Sequence, residues 1–448
     1  MFPNQIPFSA AEPKWEEIPA AAGVFALFGE DARAQPYVSR TPNLRRRMRR
    51  LLDYPRAPKA GVPGTPGVDA RPDQTKRLQL AGRVARIEYA LTGSDFEALL
   101  RLYEASWSVF GERARRRLHL RPPALLRMTV ENAYPRVYVT NRVTKAAMED
   151  LYGPFPSRLM AERFLDDMLD LFKLRRCVDD LDPDPAFPGC VYSEMKKCLA
   201  PCFQGCSDER YAAEAGGVRA FLRTRGASLV DALQKERDKA SGLMEFERAA
   251  EIHAKLAKAE AVAAATPEVV RGLAHLDGVI VQRAAEADHV ALFVLQHGSL
   301  RGPALFSVAG MRHPNETAGS SSLYRQPVSW TEAVPLDGSA VTLPTRDELE
   351  HRLEAALAQL TPPPAGGRAK QRSGEVADYI CLFSRWYYRP QTKRVGEIVL
   401  AGEEGKTPAK AVLRAISRTW VKQSAGAGAQ SPEAASAHGQ ESASPKQN

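Results

Sequence analysis

An unbroken apolar run, Val24-Phe25-Ala26-Leu27-Phe28, opens behind Gly23, and a polar turn from Gly29 to Gln35 brings the chain back to Tyr37 and Val38. So short and continuous a run predicts a strand, followed by a second strand across the turn. Asn43 stands as a helix cap ahead of Leu44, Met48, Leu51 and Leu52, which share one helical face. Residues 55–75 carry several Pro and Gly and read as a loop. Arg83 to Leu91 alternates as a strand, and Ser94 with Glu97 forms an S-x-x-E capping pattern before a helix over Ala98 to Phe110. Strands are predicted at Arg127–Val130 and Val137–Thr140. A helix is predicted over 158–176, with Met160, Phe164, Met168, Leu171 and Phe172 on its apolar side. Residues 210–264 read almost wholly as helix, broken near Gly226 and Gly242, which predicts a helical hairpin. From Gly278 the period shortens, and Val279, Val281, Val290, Leu292 and Val294 predict a β-hairpin turning at His297–Gly298. Helices near 346–360 and 374–388 flank the linker TPPPAGGRAKQRSG, and the Ala/Ser/Gly/Gln-rich stretch from Ser424 predicts a disordered tail. The fold class is α+β and modular.

Composition narrows the choices. A chain of 448 residues has room for about three domains. With 44% hydrophobic and 26% charged residues it is neither wholly disordered nor collagen-like. The 62 Lys and Arg exceed the 53 Asp and Glu by +9, which permits a polyanionic partner without requiring one. No apolar stretch is long enough to span a membrane. The N-terminus has no basic region followed by an apolar run, so no signal peptide and a cytoplasmic location are expected.

The basic excess is concentrated. Arg40, Arg45, Arg46, Arg47, Arg49, Arg50 and Arg56 fall in one short window opposed only by Asp53. Because the apolar residues take the other face, several of these side chains must share a surface, and such a surface neutralises phosphates. The plainer reading is a solvated basic helix; its position directly after a strand–turn–strand unit favours nucleic-acid contact.

The cysteines are concentrated too. Five of six lie between Cys177 and Cys206, leaving only Cys381 apart. In a long chain without a secretory signal, this points to metal rather than disulfides. Cys177, Cys190, Cys198 and Cys202 are spaced C-x12-C-x7-C-x3-C, which suits a tetrahedral zinc or a [4Fe–4S] cluster, and spacing alone does not choose between them. Cys206 repeats the last spacing, and the alternative is a set of buried free thiols. Lys196 and Lys197 lie inside the loop, within reach of phosphate.

Gly23-Val24-Phe25, Tyr37-Val38-Ser39 and the arginine helix resemble the GIY-YIG nuclease module. Together with Leu151-Tyr152-Gly153-Pro154-Phe155-Pro156-Ser157, the cysteine loop and Glu245-Phe246-Glu247-Arg248-Ala249-Ala250, they are similar in order to the N-terminal half of the UvrC family of excinuclease subunits, over about 18–315 and more weakly to about 420. The resemblance implies a GIY-YIG domain over 15–115, a sheet, helix and cysteine region over 116–209, a UVR hairpin over 210–265, a small α+β region over 275–420 and a tail over 424–448. It implies DNA and a UvrB-type protein as partners, with Phe246, Arg248, Ala249 and Ala250 of the hairpin meeting UvrB. It favours the [4Fe–4S] cluster over zinc. A hairpin of two helices cannot bury both its apolar stripes alone, so a partner hairpin, self-association or an internal packing site is required.

Carried over position by position, the family's nuclease site looks degraded here. Tyr37 and Arg47 are retained and the family Lys becomes Arg40, while Phe25 and Leu51 stand where the family has Tyr, with Tyr54 close by, and Ser39 stands where it has Gly. Two anchors, Ser94 to Ala98 and Arg127 to Thr129, both place the metal-binding Glu at Leu102, and the following Asn at Ala114. Leu cannot ligate a hard cation, so Mg or Mn is expected only if another carboxylate serves. Glu104 is nearest in sequence, but two helical residues turn it about 200° away. No strand after the β segment that opens at Gly278 carries paired acids, so the family's second, RNase H-type nuclease and its helix–hairpin–helix repeats are not expected in this chain. Asp277 reads as a solvated strand end and His253 as a surface residue. The expected function is a UvrC-like repair protein binding DNA and UvrB with an impaired incision site. The rivals are a single-cut endonuclease using Tyr37, Arg40, Arg47 and a relocated carboxylate, and a cluster-bearing DNA-binding regulator.

Overall fold

A computed structural model describes residues 1–31, 33–52, 80–178, 181–309, 311, 345–360, 374–402 and 405–428. The loop at 55–75, Tyr54, Arg56, most of the 361–374 linker and residues 429–448 lie outside them. The mixed helix and sheet expected from the pattern is observed as three four-stranded sheets, each covered by helices.

The first sheet contains β1 (Asn4–Pro7), β2 (Gly23–Phe28) and β3 (Tyr37–Thr41), then, after helix α1 (Leu44–Leu52), β4 (Arg86–Leu91), in the antiparallel order β1-β4-β2-β3. The sheet therefore starts before residue 15, because Asn4–Pro7 pairs with β4. Alternation along β2 sends Phe25 and Leu27 toward Leu44, Met48, Leu51 and Leu52 of α1. Val24 faces the other way, toward Ala98 and Leu102 of α2 (Asp95–Phe110). Gly23 is required at the start of β2, since a Cβ there would lie 2.5 Å from the Ala90 carbonyl oxygen. Ser94 caps α2 by accepting from the Glu97 N–H at 3.2 Å. The return half of the capping box is displaced: the Glu97 carboxylate accepts from Gly93 N–H at 2.9 Å and from Arg101. The short α3 (Arg113–Arg117) follows.

The second sheet, in the order β6-β5-β7-β8, is built from β5 (Ala124–Met128), β6 (Val137–Thr140), β7 (Leu151–Phe155) and β8 (Arg271–Gly272). Helix α4 (Arg158–Leu169) stops earlier than the apolar pattern predicts. The backbone N–H of Lys173 instead donates to the Glu214 carboxylate and that of Arg175 to the Tyr211 hydroxyl, so α6 captures donors that a longer α4 would use. After the single turn α5 (Val191–Glu194) come α6 (Asp208–Arg223), α7 (Ala227–Gly242) and α8 (Phe246–Ala265). Tyr211, Ala215, Val218, Phe221 and Leu222 of α6 pack with Leu126, Tyr152 and Phe155 of the sheet. The hairpin proper is thus α7–α8, and residues 210–223 belong to the sheet module; Gly226, at φ +95°, makes the break.

The third sheet, β11-β10-β9-β12, comprises β9 (Gly278–Arg283), β10 (His289–Gln296), β11 (Ser299–Ser307) and β12 (Glu397–Leu400), with the turn at His297–Gly298 as expected. One face packs on α9 (Arg346–Ala358) and α11 (Ala409–Gly428). The other packs on α10 (Glu375–Tyr387) and on Phe96, Leu100 and Tyr103 of α2. Helix α11 runs past Ser424, so the segment read as tail begins as helix. Asp277 is no solvated strand end: its carboxylate keeps only 15% exposure and accepts from the His297 N–H at 2.7 Å, tying the β10–β11 turn to the start of β9. His253 is exposed, as expected. Among the described residues, no helix is long and apolar enough to cross a membrane.

Candidate functional site

The two helices against the first sheet divide the expected nuclease residues between its faces. On the α1 side, an Arg47 N–H reaches the Tyr37 hydroxyl oxygen at 3.5 Å, and the Tyr37 ring stands 6.1 Å from the fully buried Phe25. Leu51 is buried in the same cluster. On the α2 side, Arg40 donates to Asp95 at 3.1 Å, and Leu102, at 8% exposure, packs with Val24, Ala98 and Val38. Tyr37 and Arg47 are therefore brought together, whereas Arg40 and Leu102 lie across the sheet from them. Ala114 is fully buried behind α2, and Glu104 is exposed. The side chains packed around Leu102 are apolar, so the environment there is one that a carboxylate and a hydrated cation would pay to enter.

The arginines of α1 do not act alike. Arg46, Arg49 and Arg50 are exposed. Arg45 instead hooks back, donating to the carbonyls of Ile18 at 2.7 Å and Glu16 at 3.3 Å, which anchors α1 to the segment before β2. Sequence reasoning missed Asp95. Its carboxylate is shared between Arg40 and Arg389, the latter at 3.0 Å from just beyond α10, and nothing local in the sequence announces a partner so distant.

The cysteine loop runs between α4 and α6. Burial pushes the Cys198 thiol up to about 11, the Ala200 N–H opposes this, and the charges of Cys177, Cys190 and Cys202 add to it. Cys202 is raised as well, by burial and by the charges of Cys190 and Cys177. Cys206 is raised by burial and by the charge of Asp208, against that of Arg210. Arg175, only 2% exposed, donates to the Cys177 sulfur at 3.7 Å and to the Tyr134 carbonyl at 2.9 Å. Among the described residues, no three Cys, His, Asp or Glu side chains are drawn into the tight set that one ion needs. As a donor set, four thiolates suit a zinc ion or an iron–sulfur cluster alike. Lys197 is engaged with Asp170 at 3.0 Å, and Lys196 is exposed.

At the far end of the α7–α8 hairpin, Leu243, Met244 and Phe246 are 60%, 76% and 68% exposed. Met244 adopts φ +61°, in the left-handed region. Arg248 bridges the two helices by donating to Glu245 at 3.1 Å and Glu236 at 3.4 Å, and its guanidinium is held above its usual range by these hydrogen bonds. Ala249 is half-buried and Ala250 exposed.

Residues 124–221, which take in β5, β6 and β7 of the second sheet, the cysteine loop and nearly all of α6, match the family described as UvrC/Cho excinuclease, middle domain. Proteins named UvrABC system protein C align with the chain as well. That of Carboxydothermus hydrogenoformans is 27% identical over 311 residues, 67% of this chain and 47% of that protein. That of Ectopseudomonas mendocina is 30% identical over 241 residues, 51% of this chain and 35% of that protein. The chain is a UvrC relative. It spans about a third to a half of the length of the curated UvrC proteins it matches. No solved structure matches it. The UvrC middle-domain match stops within α6, in keeping with the packing of that helix on the second sheet rather than in the hairpin.

Proposed function

We propose that this chain is a UvrC-type nucleotide excision repair protein that binds DNA through α1 and a UvrB-type protein through the hairpin tip, without cutting DNA at its GIY-YIG-like site. The observation that carries the reading is the apolar packing of Leu102 against Val24, Ala98 and Val38, where the resemblance calls for a metal-binding carboxylate. The separation of Arg40 from Tyr37 and Arg47 across the sheet supports it. Exposed Arg46, Arg49 and Arg50 supply charge for the phosphate backbone. Three large apolar side chains in water at the hairpin tip supply a surface whose burial rewards a protein partner. Cys177, Cys190, Cys198 and Cys202 would hold a [4Fe–4S] cluster rather than zinc, as the family resemblance implies. Its role here would be to fix the loop between α4 and α6, a segment with few buried apolar residues of its own.

The deciding experiment is a nicking assay on a damaged duplex with UvrB and either Mg2+ or Mn2+, run beside a UvrB pulldown. Retention of UvrB with no incision is the expected result. Robust incision that disappears in Arg47→Ala would establish an active nuclease instead and end the proposal.

A further inference from the structure

The reading above leaves unused a second group of arginines on the opposite side of α2 from α1. Arg113, Arg116 and Arg117 of α3 are all exposed, and their i, i+3, i+4 spacing puts them on one face. The inward residues of the same helix are Ala114, fully buried, and Arg115, which pairs with Asp378 at 2.8 Å. Arg117 lies 4.0 Å above the Phe110 ring, which holds its guanidinium plane without neutralising it. Arg121 follows a few residues on, also exposed. Among the described residues, Arg113, Arg116, Arg117 and Arg121 have no carboxylate partner; the acid of this segment, Glu112, leans toward Arg115 at 4.0 Å.

This surface continues onto α10. Arg385 donates to the carbonyls of Leu118, at 3.1 Å, and of His119, which spends its hydrogen bonds on neutral acceptors and keeps its charge uncompensated. Arg121, Ser384, Arg385, Tyr388 and Arg389 line one open cavity of about 400 Å³. Arg389 then shares the Asp95 carboxylate with Arg40 of β3, the strand that leads into α1. A line of guanidinium groups therefore runs from α3, through the cavity, across Asp95 to Arg40 on the α2 face of the first sheet.

We propose that the α3–α10 arginine surface is a second phosphate-binding track for nucleic acid, ending at Asp95 and Arg40 on the face of the first sheet opposite α1. This inference rests on the proposal that α1 binds DNA, and extends it to the other side of α2. A single line of charges linked through one exposed carboxylate suits a strand backbone, whose phosphates repeat along a path. It suits a compact anion less well, since that would need the guanidinium groups turned toward one point.

The test is the salt dependence of binding to a short DNA duplex, read by fluorescence anisotropy on the full chain. Each phosphate contact contributes about 0.9 to the slope of log affinity against log salt, so Arg116→Gln, Arg117→Gln and Arg121→Gln together should lower the slope by roughly 2 to 3. Lys at the same three positions keeps the charge and should restore most of it, which separates a charge effect from a folding defect. A second triple, Arg46→Gln, Arg49→Gln and Arg50→Gln in α1, should lower the slope independently. A third, Lys235→Gln, Lys255→Gln and Lys258→Gln on the hairpin, measures the loss due to net charge alone. If the α3 triple binds with the parental slope while the α1 triple does not, the second track is wrong and the α1 reading stands. If neither triple moves the slope, the α1 reading itself falls. An equal loss in the hairpin triple would also overturn the track, since net charge would then be the cause.

Discussion

Leu102 shows how far a single side chain constrains the chemistry. It sits at 8% exposure among Val24, Ala98 and Val38. Leu102→Glu should therefore cost on the order of 3 kcal/mol at neutral pH, because a carboxylate there loses water and gains no partner. Burial raises the folded-state pKa of such a group above the unfolded value of about 4.3. The native state then binds the extra proton, so the penalty is absent in acid and grows as pH rises through the shifted pKa. Thermal melts of Leu102→Glu at several pH values, with and without manganese, check this. The variant should approach the parent at low pH, and manganese should leave its melting temperature unmoved. A manganese-dependent rise would mean that the metal geometry survives around this position. The sequence pointed to Leu102 because the capping pattern at Ser94 and the strand at Arg127 gave the same count under the family resemblance. It did not reveal Asp95 as the bridge between Arg40 and Arg389, since a contact between residues 294 positions apart leaves no local trace. Asp95→Asn should release both guanidinium groups and strengthen DNA binding a few-fold, with a slope steeper by about 1 to 2. Weaker binding would show that Asp95 holds them in their productive positions.

At the scale of elements, periodicity identified the secondary structure well, and packing set the boundaries it missed. The helix at 44–52 appears where the apolar spacing puts it, as do the capped start of α2 and the β10–β11 turn. The pattern over 210–264 does not separate α6 from the α7–α8 hairpin, because the residues of α6 and α7 are similar in kind. Only the contacts of Tyr211, Val218 and Phe221 with the second sheet show that α6 is a domain helix. The tip of the hairpin combines exposed Leu243, Met244 and Phe246 with a left-handed Met244. A non-glycine residue in that conformation costs about 1 kcal/mol, and no buried contact of the side chain offsets it. Met244→Gly should therefore stabilise the free protein by up to about 1 kcal/mol. If the tip is the docking surface, the same variant, and Phe246→Ala more strongly, should weaken UvrB retention in a pulldown. Full retention of UvrB by Phe246→Ala would move the docking surface elsewhere.

The three sheets are held as one body by a core that no local pattern discloses. Phe96, Leu100 and Tyr103 of α2 pack with Phe293 and Leu295 of the third sheet, Leu125 and Leu151 of the second, and Ile380 and Phe383 of α10. One helix thus serves the first sheet with Leu102 and both other sheets with its opposite side. The modular reading of the sequence could not show this junction, because its residues are drawn from segments far apart in the chain. At its edge, Tyr103 donates to Asp378 at 3.0 Å and Arg115 donates to the same carboxylate at 2.8 Å, a brace between α2, α3 and α10. Asp378→Asn should lower stability by about 2 to 3 kcal/mol, less than for a wholly buried pair because Arg115 keeps 27% exposure and some water. Since the brace lies on a shared core, the loss should appear as a lower melting temperature in one transition rather than as two transitions. The same brace carries a pH dependence. Burial, and then the charge of Asp378, hold the Tyr103 hydroxyl well above the usual tyrosine range. Above about pH 10 the unfolded chain gives up this proton while the native state keeps it, so stability falls as the solution becomes more alkaline. Tyr152, Tyr211 and Tyr388 are raised by burial too and add to the slope. Tyr103→Phe should therefore make the alkaline loss shallower by about one proton while lowering stability at neutral pH, where Asp378 misses a donor. An unchanged alkaline slope in that variant would place Tyr103 in contact with water and the three modules apart from one another at this junction.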